Sequence, residues 1–396
     1  MPVKKVAVLC IKGETFGGLE DQTARRVMRH LLLRGKGNRV DVFELDESLN
    51  AGNLNAYGEY DAYVVIRGMV FITLESINNL SEIIFSNRAL SAVVPVCNES
   101  KIPEQLHTPP FLYQTLTVFN WAVQEIFKKI KHEVREVSEI DNFCVAFRKD
   151  LLDTLSRDED LCDLSRAEGN TRLSFGVAKG IYTHRYGNVF ESGRADLMTY
   201  VPMDAREVLD IGSAKGLFGE LLKKRQKCTV TGVDIDNEMI KIASSRLDSV
   251  ISGDIEDLLD KGALGKYDCI LCGDVLEHLN NPWKVVGALK KHLRKGGFFI
   301  ASTPNVMNWA VIFEQVRGRW DYVPASILSG THIRFFTKQC LKELFIDAGY
   351  EINEVSLQSF ELPPQGREFI ERLRSLGNEL NEEELKASEI VIVASC

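Results

Sequence analysis

The stretch EVLDIGSAKGLFGELL, residues 207–222, constrains the fold of this chain more than any other. Its apolar first half ends at Asp210 and Ile211, Gly212 and Gly216 follow, and Leu217, Phe218, Leu221 and Leu222 then recur at helical spacing. A strand that turns through glycines into a helix is the building unit of a parallel α/β sheet. Glycines there permit positive φ and close backbone approach, and the free amides of a helix N-terminus favour an anion. Asp210, Gly212 and Gly216 are therefore candidate ligand-binding residues.

Two ligand classes use such a turn, nicotinamide dinucleotides and S-adenosylmethionine. The dinucleotide fingerprint is GxGxxG, whereas Asp210, Gly212 and Gly216 are spaced DxGxxxG, which weakens the nicotinamide reading. TGVDID places Asp234 at the end of the next strand, where an acid accepts hydrogen bonds from ribose hydroxyls in either class. GDIEDL brings Asp254 and Ile255 to a third strand end, and LCGDVLEHLNNPW brings Gly273 and Asp274 to a fourth.

From residue 184 onward, EVLDIG, CTVTGVD, SVISG, YDCILCGD, GFFIAST, YEINEVSLQ and SEIVIVAS alternate with helical segments. They predict a doubly wound, seven-stranded Rossmann-like sheet whose ligand crevice lies beyond the C-terminal ends of its strands. GRADLMTYV reads as a helix before the first of them, and SEIVIVAS as an antiparallel edge beside YEINEVSLQ. Residues 1–155 alternate VAVLCI, RVDVFEL, YDAYVVI and SAVVPVC with the helices DQTARRVMRHLLLRG, TLESINNLSEIIFS and LYQTLTVFNWAVQEIFKKIKH, then close on FCVAF, as a second α/β domain. Residues 156–183 are polar and weakly periodic, which marks a linker before the domain at 184–396.

A chain of 396 residues, 45% hydrophobic and 26% charged, has the length for two domains and the apolar content to give each a core. A net charge of -8 gives no global attraction to nucleic acid. No apolar run approaches the ~18 residues of a membrane span, and KKVAVLCIKG reads as a first strand rather than a signal peptide. Nine cysteines follow no repeating framework, and Cys269 and Cys272 fall on opposite faces of one strand. Buried thiols and a reducing, cytoplasmic compartment are the expectation.

In order along the chain, VLDIGSAKG, GVDID, GDIEDL, DVLEHLNNPW and LRKGGFFIASTPN resemble the class I S-adenosylmethionine-dependent methyltransferases, within them the group holding the ubiquinone-biosynthesis O-methyltransferases. The resemblance covers residues 184–396. It implies that Gly212 and Gly216 are approached by the methionine part of the cofactor, that Asp234 binds the ribose, and that Asp254 with Ile255 faces the adenine. Gly273 and Asp274 would line the methyl-donor side. Arg194 either approaches the cofactor carboxylate or has a plain surface role. Ala214 stands where the family usually has glycine.

Methyl transfer from a sulfonium is an in-line displacement, and alignment alone supplies about 7–11 kcal/mol. A base that takes the proton of a hydroxyl nucleophile adds about 100- to 10,000-fold. Asp274, His278 and His332 are the candidates, with Asp274 and His278 four apart and facing one way once helical. In some similar methyltransferases an acid-x-x-Glu-His segment and a distant histidine bind a divalent cation at the acceptor hydroxyl. The matching set is Asp274, Glu277, His278 and His332, with Mg2+ or Mn2+ as the implied ion; otherwise Glu277 and His278 cap and pack the turn. The excursion at 306–336, with Trp309, Trp320, Arg317, Arg319 and Arg334, either suits a sugar with its apolar faces and oxygen acceptors or packs on the sheet edge. It resembles that of methyltransferases of bacterial surface-polysaccharide assembly.

Residues 1–155 resemble GT-A glycosyltransferases through YDAYVVIRGMVFITLESINNLSEII, SAVVPVCNES and IDNFCVAFRKDLLDTL. Where that family carries a metal-holding DxD-like motif, this chain has Arg67, Gly68 and Met69, which implies an inactive module that docks a glycan or partner. GGLEDQTARR reads as a Gly-rich turn into a helix or as an ordinary connection. The expected function is S-adenosylmethionine-dependent O-methylation of a small molecule, a sugar or glycan precursor. The alternatives are a cofactor-binding scaffold for a glycan-assembly partner and an O-methyltransferase acting on a quinone- or phenol-type molecule.

Overall fold

The computed structural model describes residues 5–11, 40–45, 49–51, 53–155, 161, 164, 173–186, 193–377 and 380–396. The chain divides into two compact units, Met1–Gly187 with Asp321–Ala325, and Asn188–Trp320 with Ser326–Cys396. The helix expected over residues 21–35 and the glycine turn at 17–26 lie outside the described residues. Among the described residues no helix is long and apolar enough to cross a membrane.

The first unit runs β1 (Val6–Ile11), β2 (Val40–Leu45), β3 (Ala62–Arg67), β4 (Val70–Phe71), α1 (Leu74–Ser86), β5 (Ala92–Cys97), α2 (Leu116–Ile130), β6 (Val134–Val137), β7 (Cys144–Arg148) and β8 (Phe175–Arg185). Its sheet has the order β2-β1-β3-β7-β5-β8-β4, with β6 also on β8. β1 is parallel to β2 and β3, β5 is parallel to β8, and β7 runs antiparallel to both β3 and β5. β5 is buried along its whole length, as an apolar strand covered on both faces should be. Thr73 and Thr115 each cap a helix through the side-chain oxygen, which fixes where α1 and α2 begin.

The sequence reading carries the linker to residue 183, whereas Phe175–Arg185 is an eleven-residue strand of the first sheet. Gly176, Lys179 and Gly180 interrupt the apolar pattern of FGVAKGIYTHR, so a strand buried on both faces there reads as a polar stretch.

The second unit runs β9 (Glu207–Ile211), α3 (Leu217–Arg225), β10 (Thr229–Asp234), α4 (Asn237–Ala243), β11 (Ser249–Ser252), α5 (Ile255–Asp260), β12 (Tyr267–Gly273), α6 (Pro282–Leu289), β13 (Leu293–Pro304), α7 (Trp309–Val316), α8 (Lys338–Asp347), β14 (Glu351–Ser359), α9 (Pro364–Ser375), α10 (Glu382–Lys386) and β15 (Ala387–Ser395). These strands form one seven-stranded sheet in the order β11-β10-β9-β12-β13-β15-β14. Alternate residues feed two cores: Leu209, Ile211, Ile270 and Phe299 on one face, and Val208, Leu271, Ile300 and Val391 on the other. Cys269 and Cys272 are buried thiols on those opposite faces.

Two sequence expectations are corrected in this unit. β15 is not the edge strand; it lies between β13 and β14 and is antiparallel to both, leaving β14 at the edge. Composition explains the exchange, since β15 carries five consecutive buried residues while no residue of β14 is fully buried. GRADLMTYV forms only a four-residue 3-10 turn, Leu197–Tyr200. Arg194 takes a left-handed φ of 38°, and Pro202 disfavours a helical Val201 before it.

Candidate active site

The C-terminal ends of β9, β10, β11 and β12 meet where the strand order reverses direction, the place at which open α/β sheets hold ligands. At the end of β9, Asp210 is buried, and its Oδ2 has no hydrogen-bond partner among the described residues. Burial first, and then the charge of Asp234, push its carboxyl up to about 7. Gly212 follows at φ 74°, and a Cβ there would stand 2.4 Å from Val275 Cγ2, so only glycine fits. Ala214 also adopts a left-handed φ, 44°, at the position where the resembling family has glycine. Its amide donates to Asp234 Oδ2 at 2.8 Å, which ties the loop to the end of β10. Gly216, at φ 74°, is the N-cap of α3.

Asp234 Oδ1 accepts the Asp236 amide at 2.9 Å, and Asp236 in turn caps α4. Asp254 caps α5 by accepting the Glu256 amide at 2.8 Å. Ile255 faces inward as part of a hydrophobic core, so only its backbone is at hand for a ligand. Gly273 ends β12, and a Cβ there would come within 3.0 Å of Leu197 Cδ1.

These residues fit S-adenosylmethionine. The unpaired Asp210 oxygen suits an ammonium group, the acid at the end of β10 suits ribose hydroxyls, and the glycines leave room for a ligand along the backbone.

Arg194 and Asp274 are bound to each other. The Arg194 guanidinium donates to Asp274, to Ser302 Oγ at 3.3 Å, to both carboxylate oxygens of Asp196 at 3.1 and 2.9 Å, and to Glu389. Asp274 Oδ1 also accepts from Ser302 Oγ at 3.0 Å. Asp274 has a left-handed φ of 53°, and Leu276–His278 is a 3-10 turn, so Asp274 and His278 do not share a helix face as the four-residue spacing suggested.

The structure does bring Glu277, His278 and His332 together: one ligand atom from each lies within 4.8 Å of the others. Asp274, the fourth member of the expected set, is not in this group. Glu277 is 1% exposed, and neither carboxylate oxygen has a hydrogen-bond partner among the described residues. Burial, reinforced by Asp274, holds its carboxyl well above the usual carboxylate range. His332 Nδ1 lies 2.9 Å from the Ile327 carbonyl, leaving Nε2 at 4.0 Å from Glu277 Oε1. His278 Nδ1 lies 3.2 Å from the Thr331 carbonyl. An imidazole held through one nitrogen by a backbone carbonyl, with the other turned to a carboxylate, as His332 is, has the arrangement of a metal-ligating histidine. Burial lowers the pKa of His332 to about 4, which keeps its ring neutral near pH 7.

The methyltransferase-domain family matches residues 143–355, more than half of the chain. The chain belongs to this family. A ubiquinone biosynthesis O-methyltransferase of Xylella fastidiosa is 34% identical over 169 residues, 41% of this chain and 67% of that protein. One of Psychrobacter arcticus is 31% identical over 160 residues, 38% of this chain and 61% of that protein. The match thus spans about two thirds of these relatives. A solved SAM dependent methyltransferase from Archaeoglobus fulgidus is 21% identical, covering 52% of this chain and 94% of its own, at a TM-score of 0.39. The chain is an S-adenosylmethionine-dependent methyltransferase, and its second unit carries the strands, turn and acids just described.

Proposed function

We propose that this methyltransferase acts on a hydroxyl oxygen, and that Glu277, His278 and His332 hold a divalent cation against the acceptor. The observation that carries the proposal is Glu277, a carboxyl group buried with neither oxygen hydrogen-bonded among the described residues, beside two imidazoles. Such a group is costly unless a cation or donor completes it. With Asp274 held by Arg194, the donor set is one carboxylate and two imidazoles, less oxygen-rich than the sequence implied. That set suits Mn2+ better than Mg2+, which dehydrates reluctantly and prefers oxygen.

When bound, S-adenosylmethionine supplies an electrophilic methyl group on sulfur, and a cation supplies Lewis acidity to the acceptor oxygen. The reaction forms an oxygen–methyl bond, breaks a sulfur–methyl bond and releases the hydroxyl proton. His332 spends Nδ1 on Ile327 and has one lone pair left, so it serves either as ligand or as base. A pKa near 4 makes it a weak base at neutral pH, which favours the ligand role. Asp210 and Asp234 remain the cofactor anchors of this reading, with Asp254 at the adenine side.

The acceptor we propose is a sugar or glycan precursor; the second reading, a quinone- or phenol-type molecule, is favoured by the names of the relatives at 34% and 31% identity. We read the first unit as an inactive GT-A-like docking module. Its support is the reversed β7 among parallel strands, and Arg67, exposed at the end of β3, in place of an acidic motif. The test is Mn2+ and Mg2+ titration of wild type and His332→Ala, followed by turnover with sugar nucleotides and with catechols, each with and without chelator. Cation binding that His332→Ala abolishes, and turnover that chelator stops, are the expected results. Full turnover in chelator refutes the cation.

A further inference from the structure

Glu256 lies inside the GDIEDL segment, yet the sequence gives it no role. It stands in the first turn of α5, two residues after Asp254. Its Oε2 accepts the Asn280 amide at 3.0 Å and Asn280 Nδ2 at 3.1 Å, and its Oε1 accepts the Asn281 amide at 2.9 Å. Both carboxylate oxygens are therefore committed to two consecutive residues of the loop between Glu277–His278 and α6. Hydrogen bonds to an ionised carboxylate are about twice as strong as neutral ones.

The loop is gripped from its other side as well. The Arg334 guanidinium donates to the Asn280 carbonyl. The Ile333 and Arg334 amides donate to the Glu277 carbonyl at 2.9 and 3.0 Å, and His278 faces the Thr331 carbonyl. Residues 277–281 are thus clamped between the first turn of α5 and the segment that carries His332. Asn281 also caps α6, so the far end of the loop is anchored too. The same turn of α5 carries Asp254, the residue expected at the adenine end of the cofactor. One short helical turn serves both halves of the site, and the link between them is an unbroken series of hydrogen bonds.

We infer that Glu256 is a positioning residue: it couples cofactor binding at the first turn of α5 to the placement of Glu277, His278 and His332. The inference rests on the proposed roles of Asp254 and of the three ligands. An ordinary loop brace would change stability alone; a coupling element also transmits a change between two sites. Glu256→Gln keeps one acceptor oxygen and replaces the other with a donor, so the clamp opens with little change in shape. Asn280→Ala removes a single bond of the same clamp and serves as the milder variant.

Three measurements on the full chain test this. Calorimetry without Mn2+ should show S-adenosylmethionine affinity within about threefold of wild type, since Glu256 is not a proposed contact, whereas with Mn2+ bound the linkage should weaken it in Glu256→Gln. Amide exchange should show that S-adenosylmethionine slows residues 331–336 in wild type and not in Glu256→Gln, with Asn280→Ala between them. Mn2+ affinity, read by electron paramagnetic resonance on cofactor-loaded protein, should fall at least about tenfold in Glu256→Gln, the usual effect of losing an outer-shell support. An exchange response and a Mn2+ affinity that both survive in the two variants overturn the inference. Wild-type protein that binds no Mn2+ overturns the cation reading instead, and the exchange response then judges Glu256 without it: its loss in Glu256→Gln supports the coupling, and its persistence overturns it.

Discussion

Replacing Asp210 with asparagine should stabilise the cofactor-free protein while weakening cofactor binding. The Asp210 carboxyl is buried beside Asp234 and rises from 3.8 to about 7 in the fold. A folded value above the unfolded one means that the associated stability is complete below pH 3.8 and is lost as pH rises towards 7. A rise of about three pH units, at about 1.4 kcal/mol each, makes the ionised Asp210 cost the empty fold about 4 kcal/mol at pH 8. Asparagine keeps the shape and never ionises, so Asp210→Asn should melt about 8–15 °C higher than wild type at pH 8 in the transition of the second unit. The gap should close near pH 4, where both side chains are neutral. Cofactor affinity should move the other way, by at least about tenfold, because the unpaired Oδ2 no longer offers a charge to an ammonium group. Scanning calorimetry from pH 4 to 8, with and without S-adenosylmethionine, measures both. A variant that melts at or below wild type at pH 8, or a gap that persists at pH 4, refutes the assignment of strain to this carboxylate.

Two further outcomes follow from the same geometry. Ala214→Gly should raise stability by about 1 kcal/mol, since a left-handed alanine carries a steric cost that glycine does not; chemical denaturation measures it, and a loss of stability would show that Ala214 makes a contact worth more than its strain. Ending the chain before Ser388 removes most of a strand paired on both sides, so the second unit should lose its cooperative melting transition altogether; an intact transition would show that β13 and β14 close the sheet without it.

Much of the second unit was legible in the sequence because its strands are buried and its turns carry glycines and acids at fixed places. VLDIG, GVD and YDCILCGD each end at the residue the reading assigns to the crevice, since a parallel strand must deliver its last residues to the same edge of the sheet. What the sequence hid depends on long-range pairing. β15 reads as an edge because it comes last in the chain, and only its pairing with β13 shows it to be interior. β8 hides behind a lysine and two glycines. Asp274 is implied as a fourth ligand by the resemblance, and its ion pair with Arg194, eighty residues away, has no local signal in the sequence. Glu256 had no signal beyond its place in a recognised segment; an acid three residues after a strand-end glycine is too common to mark.

The parting of Asp274 from Glu277 separates two clusters at one strand end, Asp274 with Arg194 and Glu277 with the two histidines. β12 delivers Gly273 to the crevice, and the chain then turns through a left-handed Asp274 into a 3-10 turn instead of entering a helix directly. A continuous helix would have put Asp274 and His278 on one face, mixing a residue tied to Arg194 with one turned to His332. The left-handed residue separates them: Asp274 stays with Arg194 and Ser302, while Glu277 and His278 swing under the segment that brings His332. A left-handed aspartate is costly on its own, at roughly 1–2 kcal/mol, and persists where surrounding bonds over-determine it. Here those bonds are the Arg194 ion pair and the Ser302 hydrogen bonds to both its side chain and its amide. The ion pair of Arg194 therefore reaches Glu277 and His278, the proposed acceptor side, through backbone shape, by fixing the point at which the chain leaves the sheet.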